Sequence, residues 1–391
     1  MAEAVLNPGK EKRVFSGHPW IFKSDISYVD ASAKPGDVVT VKARGGRFLC
    51  RAVYNPASQI ALRILTWQDE PVDGAFIRAR VTRAVEYRKT FADLKSCRLI
   101  FAESDGLPAV ICDAFGDAVV MQCLSLGMDR FKQDICDALE DLLHPACIYE
   151  RGDVPVRSLE GLPLESALLR GKLPDGKVVM AENGIRFYVD IVAGQKTGYF
   201  LDQKENRAAI APFVKGKTVL DCFTHVGSFA LHAAKYGAGE VVGVDISDYA
   251  CQCAAENAAL NGFENVRFVT ANAFDYLRER SDAGDTYDVV ILDPPAFTKT
   301  RAAVAAAERG YKEINLRGIK MVKPGGILVT CSCSQHMLPD AFRNVVHAAA
   351  ADAHARLMQI EWRTQGRDHP ILLASPETQY LKCGIFRVDK N

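Results

Sequence analysis

The sequence predicts an α/β protein. Its C-terminal half is expected to form a doubly wound, mainly parallel sheet, preceded by a small β-rich domain and an α+β middle domain. Three observations carry this reading. Strand-like runs alternate with helical patterns from about residue 218 onward. The first 75 residues hold only short alternating runs broken by Gly and Pro. A length of 391 residues is enough for two or three domains. The expected divisions are 1–75, 76–180 and 181–391.

In the first zone the alternating runs are Asp37–Lys42 and Gln59–Leu65, punctuated at Pro35-Gly36, Gly45-Gly46 and Asn55-Pro56. The middle zone opens with helix-spaced apolar residues over Phe76–Leu94. Strand-like runs Leu107–Asp113 and Asp117–Leu124 follow, with Phe115-Gly116 as the turn, then a helix over Met128–Leu143 and a loop through Leu173–Lys177. In the third zone the strands are Thr218–Cys222, Glu240–Asp245, Val266–Thr270, Tyr287–Asp293 and Gly326–Cys331. The helices between and after them span Ser228–Tyr236, Tyr249–Asn261, Ala273–Glu279, Val304–Met321 and Pro339–Ala351.

Composition excludes several classes. Lys plus Arg (48) equal Asp plus Glu (48), apolar residues make 48% and charged residues 25% of the chain, so disorder and a polycationic tail are ruled out. The uncharged stretch Ala118–Met128 is too short to span a bilayer, and the first ten residues lack the apolar core of a signal peptide. A cytoplasmic protein without a membrane partner is expected. The twelve cysteines include no Cys-x-x-Cys pair, so no metal site is expected and most thiols are read as small buried hydrophobes.

Ligands of such sheets bind beyond the carboxyl ends of the strands. The first strand runs into Leu220-Asp-Cys-Phe-Thr-His-Val-Gly227, without the Gly spacing that admits a pyrophosphate. The second ends in Asp245, which can accept from two ribose hydroxyls or cap the following helix. Ribose without pyrophosphate points to a nucleoside cofactor, S-adenosylmethionine. After the third strand, Asn272-Ala273 can meet an adenine edge, or Asn272 can cap a helix. The fourth strand ends Asp293-Pro-Pro-Ala-Phe297, a carboxylate on a rigid loop. The fifth ends Thr330-Cys-Ser-Cys-Ser334, where Cys331 and Cys333 share a face about 7 Å apart.

A thiol at the strand exit has a chemical use. Carbon 5 of cytosine is a weak nucleophile; a thiolate adding at carbon 6 makes it an enamine carbon able to take a methyl group. The thiol needs a lowered pKa or a base, and a nearby acid is needed at N3. Cys333 and Asp293 are the candidates.

These residues resemble the bacterial 23S ribosomal RNA methyltransferases that make 5-methylcytosine, built from a PUA domain, a middle RNA-binding domain and a class I methyltransferase domain. The resemblance rests on Lys10-Glu-Lys-Arg, His18-Pro-Trp-Ile-Phe22, Asn55-Pro-Ala-Ser-Gln59, Glu103-Ser-Asp-Gly-Leu-Pro108, Ile148-Tyr-Glu-Arg and Arg157. It continues through Lys196–Gln203, Asn206-Arg207, Asp293–Phe297, Arg309-Gly-Tyr-Lys312, Ser332-Cys-Ser334 and Asp368-His-Pro370. It implies catalytic roles for Cys333 and Asp293. It also implies S-adenosylmethionine contacts at Lys196, Thr197, Phe200, Gln203, Phe223, Thr224, Gly227, Asp245, Asn272, Ala273 and Asp293. Two positions depart from the pattern: Asn272 stands where Asp is common, and Pro295 is followed by Ala296 rather than a second Cys, which leaves the base for the carbon-5 proton unassigned.

The implied partner is 23S ribosomal RNA or a large-subunit assembly intermediate, and a homodimer is compatible with the resemblance. Lys10, Lys12, Arg13 and Trp20, with Arg47 and Arg51, are read as RNA contacts, against the alternative of a solvated basic face and a core Trp. Two other functions are weighed: methylation of an exocyclic amine or guanine without a thiol, and a non-catalytic assembly factor.

Overall fold

In a computed structural model, which describes residues 1–298 and 300–390, the chain divides into two compact units. The first comprises Met1–Met180, Val189–Leu201 and Arg367–Thr378; the second Ala181–Tyr188, Asp202–Gly366 and Gln379–Asn391.

The first unit contains two sheets. One has six strands, in the spatial order Trp20–Ile21, Leu62–Thr66, Phe48–Tyr54, Val38–Lys42, Glu3–Leu6 and Ile26–Val29. Alternation along Val38–Lys42 puts Val39 and Val41 into a core with Leu6, Ile21 and Leu62. The other has five strands, ordered Ala167–Gly171, Cys147–Glu150, Ala118–Cys123, Val110–Phe115 and Ser96–Phe101. A helix over Gly74–Lys89 covers it. Asp73 caps that helix by accepting from Phe76 N (3.0 Å), and Ile77, Val81, Ala84 and Val85 form its buried stripe. Ile77, Val81 and Val85 each contribute about 1.5–3 kcal/mol on burial.

The helix stops five residues before the expected Leu94, because Asp93 turns the chain by accepting from Lys95 N at 3.0 Å. The expected Met128–Leu143 helix is divided into a turn at Leu126–Asp129 and a helix over Lys132–Leu143. Arg88, fully buried, ties several motifs together: it holds Asp105 through two bonds (2.7 and 2.9 Å) and donates to Asp368 O at 2.8 Å. Asp368 also accepts from Arg98 N at 2.9 Å, so Asp368-His-Pro370 anchors this unit.

The second unit is built on a seven-stranded sheet. Its strands are β1 (Thr218–Cys222), β2 (Glu240–Asp245), β3 (Val266–Thr270), β4 (Tyr287–Leu292), β5 (Val322–Ser332), β6 (Ala355–Arg363) and β7 (Lys382–Lys390). The spatial order is β3-β2-β1-β4-β5-β7-β6. Strands β1 to β5 are parallel, and β7 runs antiparallel between β5 and β6. Five helices connect them: α1 (Ser228–Lys235), α2 (Asp248–Leu260), α3 (Ala273–Asp282), α4 (Val304–Met321) and α5 (Pro339–Asp352). Fully buried Leu220, Val242, Val290, Ile314 and Phe342 belong to its core. The strand order reverses beside β1, which opens the crevice where such sheets take ligands. The expected α/β class is thus the observed one; β6 and β7 are additions to the sequence reading.

Candidate functional site

At the switch point, β1 delivers Asp221 to the base of a tight turn. Asp221 is fully buried and accepts from Thr224 Oγ1 (2.5 Å) and Ala230 N (3.0 Å). Burial, aided by the nearby Asp293 and Asp245 carboxylates, pushes its pKa up to about 7. The turn itself is left-handed three times, at Phe223 (φ +65°), His225 (+53°) and Gly227 (+82°). Phe223 and His225 carry side chains in a conformation that L-residues rarely adopt, and such strain collects at ligand sites. At Gly227 a Cβ would also meet the Phe268 ring at 3.1 Å, so the turn requires glycine twice over.

Asp245, at the end of β2, is held by two backbone donors: His225 N to Oδ2 (2.9 Å) and Ser247 N to Oδ1 (3.0 Å). Ser247, not Asp245, caps α2, accepting from Ala250 N at 3.2 Å. The carboxylate is therefore oriented and partly exposed, with lone pairs left on both oxygens. Ile246, which the sequence reading missed, is 69% exposed beside it and offers an apolar face. Asn272 does cap α3, its Oδ1 accepting from Phe274 N (2.9 Å), and the residue stays exposed. Phe223, Phe274 and Phe297 cluster at the strand ends with ring centroids 5.6–6.5 Å apart.

Beyond β4, Asp293 Oδ1 accepts from Gln203 Nε2 at 2.8 Å, and Gln203 Oε1 accepts from Asn206 Nδ2 at 2.6 Å. Beyond β5, the first residue is Cys333, whose Sγ lies 3.8 Å from Pro294 O. All twelve cysteines are free thiols, and Cys333 alone is not buried. Burial pushes the Cys331 and Cys222 thiols well up. Tyr311, from α4, braces the segment: its hydroxyl accepts from Ser332 Oγ (3.0 Å) and pairs with Ser334 Oγ (2.9 Å).

The most consequential residue here went unread in the sequence. Lys382 opens β7, directly opposite Ser332 of β5, and is 2% exposed. Its ammonium donates to Ser334 O (2.7 Å) and Tyr380 O (2.8 Å) and, among the described residues, has no carboxylate within ion-pair distance. Burial pulls its pKa down to about 8, against the opposing pull of the Cys333 sulfur. A buried cation beside a half-exposed thiol favours the thiolate. A lysine starting a late strand carries no local signal; only strand pairing brings it to Cys333.

Gln203, Phe223, Thr224, Gly227, Asp245, Asn272, Ala273, Asp293 and Cys333 all belong to the second unit, at or near these strand ends. Lys196, Thr197 and Phe200 belong to the first unit. There the Thr197 hydroxyl donates to Asp113 Oδ2 (2.6 Å), and the Lys196 ammonium stands 4.3 Å from the Phe200 ring centre.

The basic residues of the first unit are engaged to different degrees. Lys10 pairs with Asp25 (2.9 Å), Arg51 with Asp69, and Arg13 bonds His18 (2.9 Å). Trp20 donates its Nε1 to Glu103 (2.8 Å), so its ring edge is fixed. Lys12 is exposed, and Arg47 covers the exposed Phe15 ring at 4.7 Å.

The residues of the second unit fit S-adenosylmethionine. An oriented carboxylate with free lone pairs matches a ribose diol, and the exposed Ile246 next to it matches a purine face. Among the described residues no group of three or more His, Cys, Asp or Glu could hold a metal ion, and no helix is long and apolar enough to cross a membrane.

Comparison with known proteins agrees. Residues 4–67 match a PUA-like domain family, and residues 166–363 match an S-adenosylmethionine-dependent methyltransferase family. The chain is similar to the ribosomal RNA large subunit methyltransferase I of Shewanella denitrificans (43% identity), of Shewanella frigidimarina (44%) and of Klebsiella pneumoniae (39%). Each alignment covers 98% of both chains. Among solved structures, it superposes on a Streptococcus mutans chain assigned as a SAM-dependent methyltransferase (TM-score 0.83, 21% identity, 99% and 100% covered). It also superposes on a chain assigned as a methyltransferase and solved with SAH (TM-score 0.85, 20% identity, 99% and 100% covered). At those identities the likeness is one of fold. The cofactor is S-adenosylmethionine, and the chain belongs to the ribosomal RNA large subunit methyltransferase I family.

Proposed function

We propose that the protein methylates carbon 5 of a cytosine in 23S ribosomal RNA through a covalent adduct at Cys333. One observation carries the reading: of twelve thiols, the single one that is not buried stands at the end of β5, beside the Asp293 loop and a buried ammonium. Enzymes of this fold that act on exocyclic amines need no such thiol.

In this reading Asp245 accepts from the ribose hydroxyls of the cofactor, and Ile246 lies along its adenine. Asn272 has Oδ1 engaged in its cap, so Nδ2 is the donor left for an adenine ring nitrogen. Bound S-adenosylmethionine supplies an electrophilic methyl group. Lys382 keeps Cys333 ionised, and the thiolate adds to carbon 6 of the base. Asp293, oriented by Gln203, protonates N3 as the ring charge develops. After methyl transfer a base takes the carbon-5 proton, the thiolate is expelled, and N3 returns its proton to the Asp293 carboxylate, which restores the neutral aromatic ring. Such chemistry requires an unstacked base, held in a looped or flipped conformation. Residues 1–75 and 76–180 act as RNA-binding domains and 181–391 as the catalytic domain, in the cytoplasm where ribosomal RNA matures.

The test is RNA carrying 5-fluorocytosine at the target. The wild-type chain traps as a covalent protein–RNA species, and Cys333→Ser does not. Full methylation by Cys333→Ser would overturn the mechanism and assign the activity to an exocyclic amine or guanine.

A further inference from the structure

The motif Glu103-Ser-Asp-Gly-Leu-Pro108 takes no part in the chemistry above, yet the first unit is built tightly around it. Asp105 accepts both bonds of the buried Arg88 fork and also the Phe101 N–H (2.6 Å). This fixes Gly106, which adopts φ +69°. A Cβ at Gly106 would stand 3.2 Å from Arg80 Nη1 and 3.5 Å from Arg83 Nη2, so two guanidinium groups reach the same point over the glycine. They come from successive turns of the Gly74–Lys89 helix.

Among the described residues neither arginine has a carboxylate within ion-pair distance. Arg80 makes a long bond to Leu65 O (3.4 Å) and lies over the Phe76 ring (4.8 Å); Arg83 makes one to Asp105 O (3.5 Å). Most other arginines of the unit, among them Arg63, Arg78, Arg88, Arg98, Arg151 and Arg157, have acidic partners, and Arg44 and Arg47, which have none among the described residues, are exposed rather than half-buried. Placing two cations side by side, one of them half-buried and neither in an ion pair among the described residues, is unfavourable without an anion between them. Burial and the Arg83 charge both depress the Arg80 pKa, and the Glu70 carboxylate opposes them.

We propose that Arg80 and Arg83, over Gly106, form a phosphate-binding fork that anchors the RNA backbone. Planar guanidinium groups match phosphate oxygens in pairs, and such contacts position a nucleic acid without reading its sequence. A glycine beneath them leaves room for the oxyanion. The proposal rests on the RNA-methylating reading above.

The test is the salt dependence of binding to a 23S ribosomal RNA fragment that the wild-type chain methylates. Arg80→Ala and Arg83→Ala each lower the slope of log K against log salt by about 1, and the double variant by about 2. The KM for RNA rises while the affinity for S-adenosylmethionine stays unchanged. Arg80→Lys/Arg83→Lys restores most of the slope, which a merely structural role would not do. Arg78→Ala, on the same helix but paired with Asp141, leaves the slope as it was. An unchanged slope in the double alanine variant, with methylation intact, overturns the fork and spares the reading. Absence of salt-dependent RNA binding by the wild-type chain overturns both. If inorganic phosphate protects the wild type but not the double variant from thermal unfolding while the RNA slopes coincide, the fork serves free phosphate and the RNA assignment fails.

Discussion

Replacing Lys382 by Met separates stability from reactivity in a way that few substitutions at this site do. The ammonium is 2% exposed and has its pKa pulled from 10.5 to about 8, so keeping it charged at neutral pH costs about 3 kcal/mol. The sign follows from linkage. The cost is complete below pH 8, where the lysine is charged folded and unfolded alike, and it fades as pH rises towards 10.5. Methionine removes the cost but leaves Ser334 O and Tyr380 O without a donor, a loss of about 1–3 kcal/mol. The two effects nearly cancel, so the variant folds with a stability within about 2 kcal/mol of wild type at pH 7. Wild type then gains on the variant between pH 8 and 10.5.

Reactivity moves much further. Losing an adjacent positive charge raises a thiol pKa by about 1–3 pH units. Without the neighbouring ammonium less of Cys333 is present as thiolate at a given pH, and methyl transfer falls with it. The assay is the pH profile of iodoacetamide labelling, read at Cys333 by peptide mass spectrometry, since the other eleven thiols are buried. The expected result is an alkylation profile displaced to higher pH in Lys382→Met. Superimposable profiles for the two proteins would refute the electrostatic role of Lys382.

Two further predictions concern the cofactor side. Asp245→Asn removes the charge and one acceptor that face the ribose, and weakens S-adenosylmethionine binding on the order of 10–100-fold by calorimetry; unaltered affinity would remove Asp245 from the site. Asp221 stays protonated in the folded chain up to about pH 7, against 3.8 for an ordinary Asp, so its contribution to stability declines as pH rises from about 4 to 7. Asp221→Asn therefore gains stability relative to wild type across that range and then levels off, measured by urea denaturation; parallel pH curves would contradict the buried-acid assignment.

Much of the second unit was legible in the chain because its signals are local. The runs ending at Cys222, Asp245, Thr270, Leu292 and Ser332 are rich in β-branched residues, and each is followed by a helical period, so five strands and their order of appearance could be read directly. The candidate residues at those ends, Asp245, Asn272, Asp293 and Cys333, follow from the rule that parallel sheets bind at their carboxyl ends. Where two readings stood open, packing chose between them. Asp245 is freed for a ligand because Ser247 caps α2, and Asn272 is drawn into its own cap.

By itself, then, the amino-acid order determined the α/β class, the alternating elements and the place of Cys333 at the exit of a strand. Periodicity, turn chemistry and residue type act over a few positions, and that range suffices for these features. Only the tertiary structure decided what surrounds the thiol and what the N-terminal cations do. Lys382 lies 49 positions beyond Cys333 and reaches it because antiparallel β7 pairs with β5. Trp20 and Arg51 prove to be held by Glu103 and Asp69, whereas Arg80 and Arg83 converge on Gly106 without a carboxylate partner among the described residues. Charge partners across a sheet or a module are chosen by the fold, and no spacing along the chain encodes them.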